Sequence, residues 1–135
     1  MSIFLDANIL FSGSNANSHL YRLLIWLNDK EKLVTSKYAL AEAERNILVK
    51  RPNWHETFKM LVSFVECVPE APLSLDAGLP DKDKPILGTG IAAKCRYLVT
   101  GDKRDFGHLF SKTVEGVTVV SILELAEIMT DKHSS

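Results

Sequence analysis

Four acids in this chain fall at places where a carboxylate is unexpected. Asp6 ends an apolar run, Ile3-Phe4-Leu5, and apolar character resumes at Ile9-Leu10-Phe11. Asp102 ends a second run, "YLVTGD" (97–102), and Asp83 stands where a loop gives way to "PILGTGI". Glu42 follows a third run, "KLVTS" (32–36), on the next helical segment. Several carboxylates within ~4–6 Å of one another repel until a proton or a cation arrives. An all-oxygen donor set suits Mg²⁺ or Mn²⁺ rather than zinc or copper. Such an ion lowers the pKa of a bound water and stabilises charge on a phosphate under attack. Phosphodiester hydrolysis of this kind needs no covalent nucleophile, so Ser36, Cys95 and Thr100 receive no such role.

Each acid alone has a plain structural explanation. Asp6 and Asp102 suit turns after strands, the latter beside Gly101. Asp83 can cap a helix whose first turn tolerates Pro85, and Glu42 can be a solvated charge on an amphipathic helix. Their joint placement is what points to chemistry, because turn residues have no reason to gather repeatedly at one end of a sheet. Asp81 and Asp105 lie close in sequence and are expected in an outer ring.

The elements that must position these acids alternate between strand and helix. Residues 3–6, 32–36, 65–68, 97–102 and 117–122 read as short strands, the first uniformly apolar as expected when both faces are covered. Asn17 or Ser18 can cap a helix carrying Leu20, Leu23, Leu24 and Leu27 at i, i+3, i+4 and i+7. Ser36 can cap the next, with Leu40, Ala43 and Ile47 as its core stripe. Asn53 and Glu56 resemble a capping box for a third, whose apolar face holds Trp54, Phe58, Leu61 and Val62. Residues 69–85 hold four of the five prolines and read as loop. Segments 85–95 and 122–129 read as helices, the first rich in small residues. This alternation predicts an α/β fold, a parallel sheet between helices. In open parallel sheets ligands bind beyond the carboxyl ends of the strands, near the point where strand order reverses. That is where the acids fall.

Composition bounds the rest. The chain has 135 residues, enough for one domain with a real core, expected over 1–130 with a frayed polar tail at 131–135. No apolar run approaches the ~20 residues needed to span a bilayer, and no secretory signal is recognisable. Cys67 and Cys95 lack CxxC spacing and read as free thiols packed in a cytoplasmic protein. His19, His55, His108 and His133 are scattered, with no zinc-ligand spacing. A formal net charge of −1 excludes a broadly basic nucleic-acid binder, although local patches remain open. Lys103 and Arg104 beside Asp102, and Arg45, Lys50 and Arg51 beyond Glu42, are candidates for phosphate contact. Trp26 and Trp54 fall on apolar stripes and read as core or interface.

"FLDANIL", "VTSKYALAE", "DKDKPILGTGI" and "YLVTGDKRDF" resemble the successive motifs of the PIN domain family of metal-dependent nucleases. The likeness covers roughly residues 3–129. It implies a three-layer α/β/α sandwich with strand order 3-2-1-4-5, and an Mg²⁺- or Mn²⁺-dependent ribonuclease acting on RNA. It assigns the catalytic and metal-binding acids to Asp6, Glu42, Asp83 and Asp102, with Asp105 as a neighbour. Asn8, Thr100, Asp81 and Asn46 become supporting residues, and Lys103, Arg104 and Arg45 the RNA contacts. Many members resemble the toxin halves of type II toxin–antitoxin modules (VapC-type), which implies an antitoxin partner and a homodimer. Glu44 stays open against Glu42, because it lies nearer the helix's core stripe, and Asp81 stays open against Asp83.

Three rivals remain. A receiver domain also pools acids around Mg²⁺, but it wants a phospho-acceptor aspartate ending the third strand, where "VECVPEA" has none. A nuclease acting on DNA or on structured RNA ends would use the same acids. A PIN-like module that binds without cleaving would be expected to have lost some of them.

Overall fold

The structure, a computed structural model, describes residues 1–134, so the expectation for Ser135 lies outside it. Six strands form one sheet in the order β3-β2-β1-β4-β6-β5. They are β1 (Ser2–Leu5), β2 (Lys32–Ser36), β3 (Glu66–Val68), β4 (Tyr97–Val99), β5 (Thr113–Val114) and β6 (Val117–Val120). All pairings are parallel except β5 with β6. The expected order 3-2-1-4-5 is present, with β6 as the expected fifth strand and β5 added at the edge. That added strand belongs to a two-residue hairpin, in which Glu115 and Gly116 both take positive φ, 48° and 87°. Positive φ at both central residues is the type I′ geometry that matches strand twist, and glycine adopts it freely.

Among the described residues seven α-helices complete the α/β fold: α1 (Ala7–Gly13), α2 (His19–Lys30), α3 (Lys37–Lys50), α4 (His55–Val62), α5 (Lys84–Ala92), α6 (Lys103–Phe106) and α7 (Ile122–His133). The central strands are apolar along their length because both faces are covered. Ile3, Phe4, Leu5, Leu98 and Val99 are fully buried. Truncating a buried leucine here costs about 2–5 kcal/mol. Ser18, Ser36 and Ser121 cap α2, α3 and α7 by accepting the backbone N–H three positions on.

Three local expectations are corrected, and one segment left unassigned by the sequence takes a definite form. Residues 7–13 form a helix directly after β1, which buries Ile9 and Leu10 and leaves Phe11 tilted against Trp54 at 5.5 Å. The Asn53–Glu56 capping box does not form, because Pro52–Trp54 makes a 3-10 turn and Glu56 pairs with Lys59 instead. Cys95 is buried as expected, whereas Cys67 is exposed on the edge strand β3. The tail is not frayed at 131: α7 continues to His133, and Lys132 and His133 both bond the buried Glu31 carboxylate, at 3.1 and 2.8 Å.

The chain runs outward from β1 to β2 and β3, then crosses back to place β4 on the other side of β1. The reversal point therefore lies between β1 and β4. No helix among the described residues is long and apolar enough to cross a membrane.

Candidate metal centre at the reversal point of the sheet

Asp6 leaves β1 and at once caps α1. Its Oδ1 accepts the Ala7 N–H at 2.7 Å, and its Oδ2 accepts the Thr100 hydroxyl at 2.8 Å. Thr100 is fully buried beyond the end of β4, so this bond ties the two strand ends across the reversal point. Asn8 reinforces it: Nδ2 donates to Asp6 Oδ2 and to Thr100 Oγ1, each at 3.3 Å, while Oδ1 accepts the Gly101 N–H at 2.7 Å. A Cβ on residue 101 would come within 3.3 Å of that Asn8 oxygen, so the close approach favours glycine. Thr100 Oγ1 also accepts the Asp102 N–H at 3.1 Å, which fixes where the next acid begins. Burial pushes the Asp6 carboxyl above its ordinary range; the Thr100 and Ala7 donors oppose that, and the nearby Glu42 and Asp102 charges add to it.

Asp102 caps α6 by accepting the Asp105 N–H at 3.0 Å. Asp83 occupies the corresponding position before α5, but its side chain makes no capping bond. Asp83, Asp102 and Asp105 each offer a carboxylate oxygen, and the three lie within 4.8 Å of one another. No other three His, Cys, Asp or Glu side chains among the described residues meet that spacing. Asp6 and Glu42 are not part of this triple, but the charges of Glu42 and Asp102 act on Asp6, and that of Asp6 on Asp83. Asp105, expected as a neighbour, is thus in the tightest group.

Asp83 is strongly perturbed as well. Burial first, then a proton shared with Asp105, raise its carboxyl to about 7. Asp105 is correspondingly held below its usual range by that hydrogen bond and then by Lys82. The Asp83 Oδ2 atom is buried without a hydrogen-bond partner. A buried carboxylate oxygen without a hydrogen bond, grouped with two more carboxylates, fits a hard divalent cation in donor type and in charge.

One cation already stands here that the sequence did not single out. Lys82 Nζ lies 3.1 Å from Asp105 Oδ2 and 3.5 Å from Asp83 Oδ2, on a side chain 62% exposed. The alternation of charges in "DKDKP" hinted at ion pairing, but not at which acids each lysine would meet. Lys84 pairs with Asp81 at 2.9 Å, and that aspartate is almost wholly exposed. Asp81 therefore stays outside the cluster.

The two glutamates of α3 diverge. Glu42 lines a small cleft with Asn8, Phe11, Asn46 and Lys50. Glu44 points to α4, where its Oε2 meets His55 Nε2 at 2.9 Å. Lys103 and Arg104 are exposed on the first turn of α6, directly after Asp102, and Arg45 is exposed on α3. Arg51 lies over the Trp54 ring at 5.5 Å, so its charge is partly engaged there.

No protein-family model and no curated protein sequence matches the chain. Among solved structures it is similar to one described as VapBC2 from Rickettsia felis bound to a DNA fragment from their promoter. The match has a TM-score of 0.64 and 17% identity, and it covers 90% of this chain and 98% of that one. The two share a fold, an α/β sandwich around a mostly parallel sheet.

Proposed function

We propose that this protein is a divalent-metal-dependent endoribonuclease, with Asp83, Asp102 and Asp105 at its metal site and Asp6 and Glu42 completing it. The observation that carries this reading is the buried Asp83 oxygen, without a hydrogen bond, inside a three-carboxylate group at the reversal point. Mg²⁺ or Mn²⁺ held there supplies Lewis-acid chemistry for attack of water on a phosphodiester.

The residues of the chain perform the remaining tasks. Thr100 and Asn8 hold Asp6 in one rotamer, so that its carboxylate is oriented before any ion arrives. Asp102 and Asp105 sit on one short helix, which fixes their separation by backbone geometry. Lys103 and Arg104 stand at the rim, exposed and ready to contact phosphate oxygens. Asn46 and Lys50 line the same cleft as Glu42 and offer polar and cationic groups to an RNA strand bound there.

The similar fold is that of a structure described as VapBC2 on promoter DNA, which favours a toxin with an antitoxin partner, acting in the cytoplasm. The receiver-domain rival is disfavoured because Glu66, the only acid on β3, begins that strand and pairs with Lys32 at 3.1 Å.

The test is cleavage of generic single-stranded RNA with Mn²⁺, with Mg²⁺, and with chelator. Metal-dependent endonucleolytic cleavage lost in Asp83→Asn and Asp102→Asn supports the reading. RNA binding without cleavage in either metal, by folded protein, would favour the binding-module rival instead.

A further inference from the structure

Among the described residues, Lys82 is the one cation ion-paired with the three-carboxylate group. Its ammonium reaches two of the three acids, Asp105 at 3.1 Å and Asp83 at 3.5 Å. Its side chain stays 62% exposed, on the turn that leads into α5, so no packing holds it there. Lys84, two residues on, is occupied by Asp81 on the solvent side and does not compete for this place.

A divalent ion bound through the same oxygens would sit about 2.0–2.6 Å from each of them. The ammonium and the ion would then share acceptor oxygens and repel across a few ångströms. Lysine on a flexible four-carbon stem can leave at little cost, as a strongly hydrated point charge. We infer that Lys82 is the resident counterion of the acidic group, an internal competitor that a divalent metal must displace and that thereby sets metal affinity. In the metal-free chain it relieves the repulsion among Asp83, Asp102 and Asp105. Displaced by the metal, it is left at the mouth of the group with its charge free. This role rests on the metal-centre reading, and it concerns affinity and metal-free stability rather than the chemical step.

Isothermal titration of Mn²⁺ into the whole protein tests it without any RNA. Lys82→Gln should bind Mn²⁺ about fivefold or more tighter, since a neighbouring positive charge is gone. Lys82→Arg, which keeps the charge, should stay near wild type, and so should Lys84→Gln, whose lysine pairs outside the group. The metal-free melting temperature should fall in Lys82→Gln and hold in Lys82→Arg. Equal or weaker Mn²⁺ binding by Lys82→Gln, with wild type binding normally, overturns the competitor role and leaves the metal centre standing. No Mn²⁺ binding by any of the four proteins overturns both.

Discussion

Thr100 Oγ1 donates a 2.8 Å hydrogen bond to Asp6 Oδ2, joining the ends of β4 and β1 at the reversal point of the sheet. The bond does two jobs. It offsets part of the cost of burying a carboxylate, and it fixes the direction in which that carboxylate points. Asp6→Asn keeps the cap on α1, because asparagine caps as well as aspartate, while removing the buried charge. The metal-free melting temperature should hold or rise, and the stabilisation by Mn²⁺, ~2.7 kcal/mol at 100 times the dissociation constant in wild type, should largely vanish. Thr100→Val should keep the fold and weaken Mn²⁺ binding by about 10–100-fold. Both are read by thermal melts with and without Mn²⁺; an intact Mn²⁺ response in Asp6→Asn would make Asp6 a structural cap and no more.

Asp83 gives a pH dependence with a definite sign. Its carboxyl is raised from an ordinary 3.8 to about 7, so between those values the folded chain holds a proton that the unfolded chain has released. Metal-free stability contributed by this group is therefore present at low pH and lost as pH rises toward about 7. Asp105, shifted downward, acts below that window. Binding a metal through Asp83 must expel the proton. Mn²⁺ affinity should climb by up to ~10-fold per pH unit toward neutrality and level off above it. Titration calorimetry in buffers of different ionisation enthalpy should count about one proton released on the acid side. An affinity flat with pH would remove Asp83 from the metal site.

Glu42 and Glu44 separate cleanly by substitution. Glu42→Gln should slow RNA cleavage strongly and leave the melting temperature close to wild type. Glu44→Gln loses a half-exposed pair with His55, worth ~0–1 kcal/mol, and should cleave normally. The reverse pattern would assign the site to Glu44.

How far the sequence could see this site depended on the range of the interactions. The strand ends were legible because Ile3-Phe4-Leu5 and Tyr97-Leu98-Val99 are apolar on both faces, so the acids after them had to lie beyond the carboxyl ends of the strands. Helix α1 was not, because Ile9, Leu10 and Phe11 are consecutive and seven residues give too little periodicity. Hairpin β5–β6 left a signal in Glu115-Gly116, a turn pair between Val114 and Val117, but a two-residue strand carries no pattern of its own. The choice between Glu42 and Glu44 rested on where α4 packs, and the extension of α7 on Glu31, a hundred residues away in the chain. Lys82 was invisible for the same reason, since the sequence shows its neighbours and the fold chooses its partners.

Lys103 and Arg104 predict the salt dependence of RNA binding. Each phosphate contact on a single strand contributes about −0.7 to the slope of log affinity against log salt. Lys103→Ala with Arg104→Ala should flatten the slope by ~1.4 if both contact phosphate, with Mn²⁺ affinity little changed. Fluorescence anisotropy over a salt series measures it. An unaltered slope would move the RNA path toward Arg45 and Lys50.

The central claim is that the acids at the reversal point hold a divalent ion. Anomalous scattering from Mn²⁺-soaked crystals of the whole protein tests it most directly. The expected result is a peak within about 2.0–2.6 Å of carboxylate oxygens from Asp83 and from at least one of Asp102, Asp105 and Asp6. It should disappear in Asp83→Asn crystals treated in the same way. A group left without a peak at saturating Mn²⁺, with Lys82 still seated on Asp105, would contradict the metal centre and the nuclease built upon it.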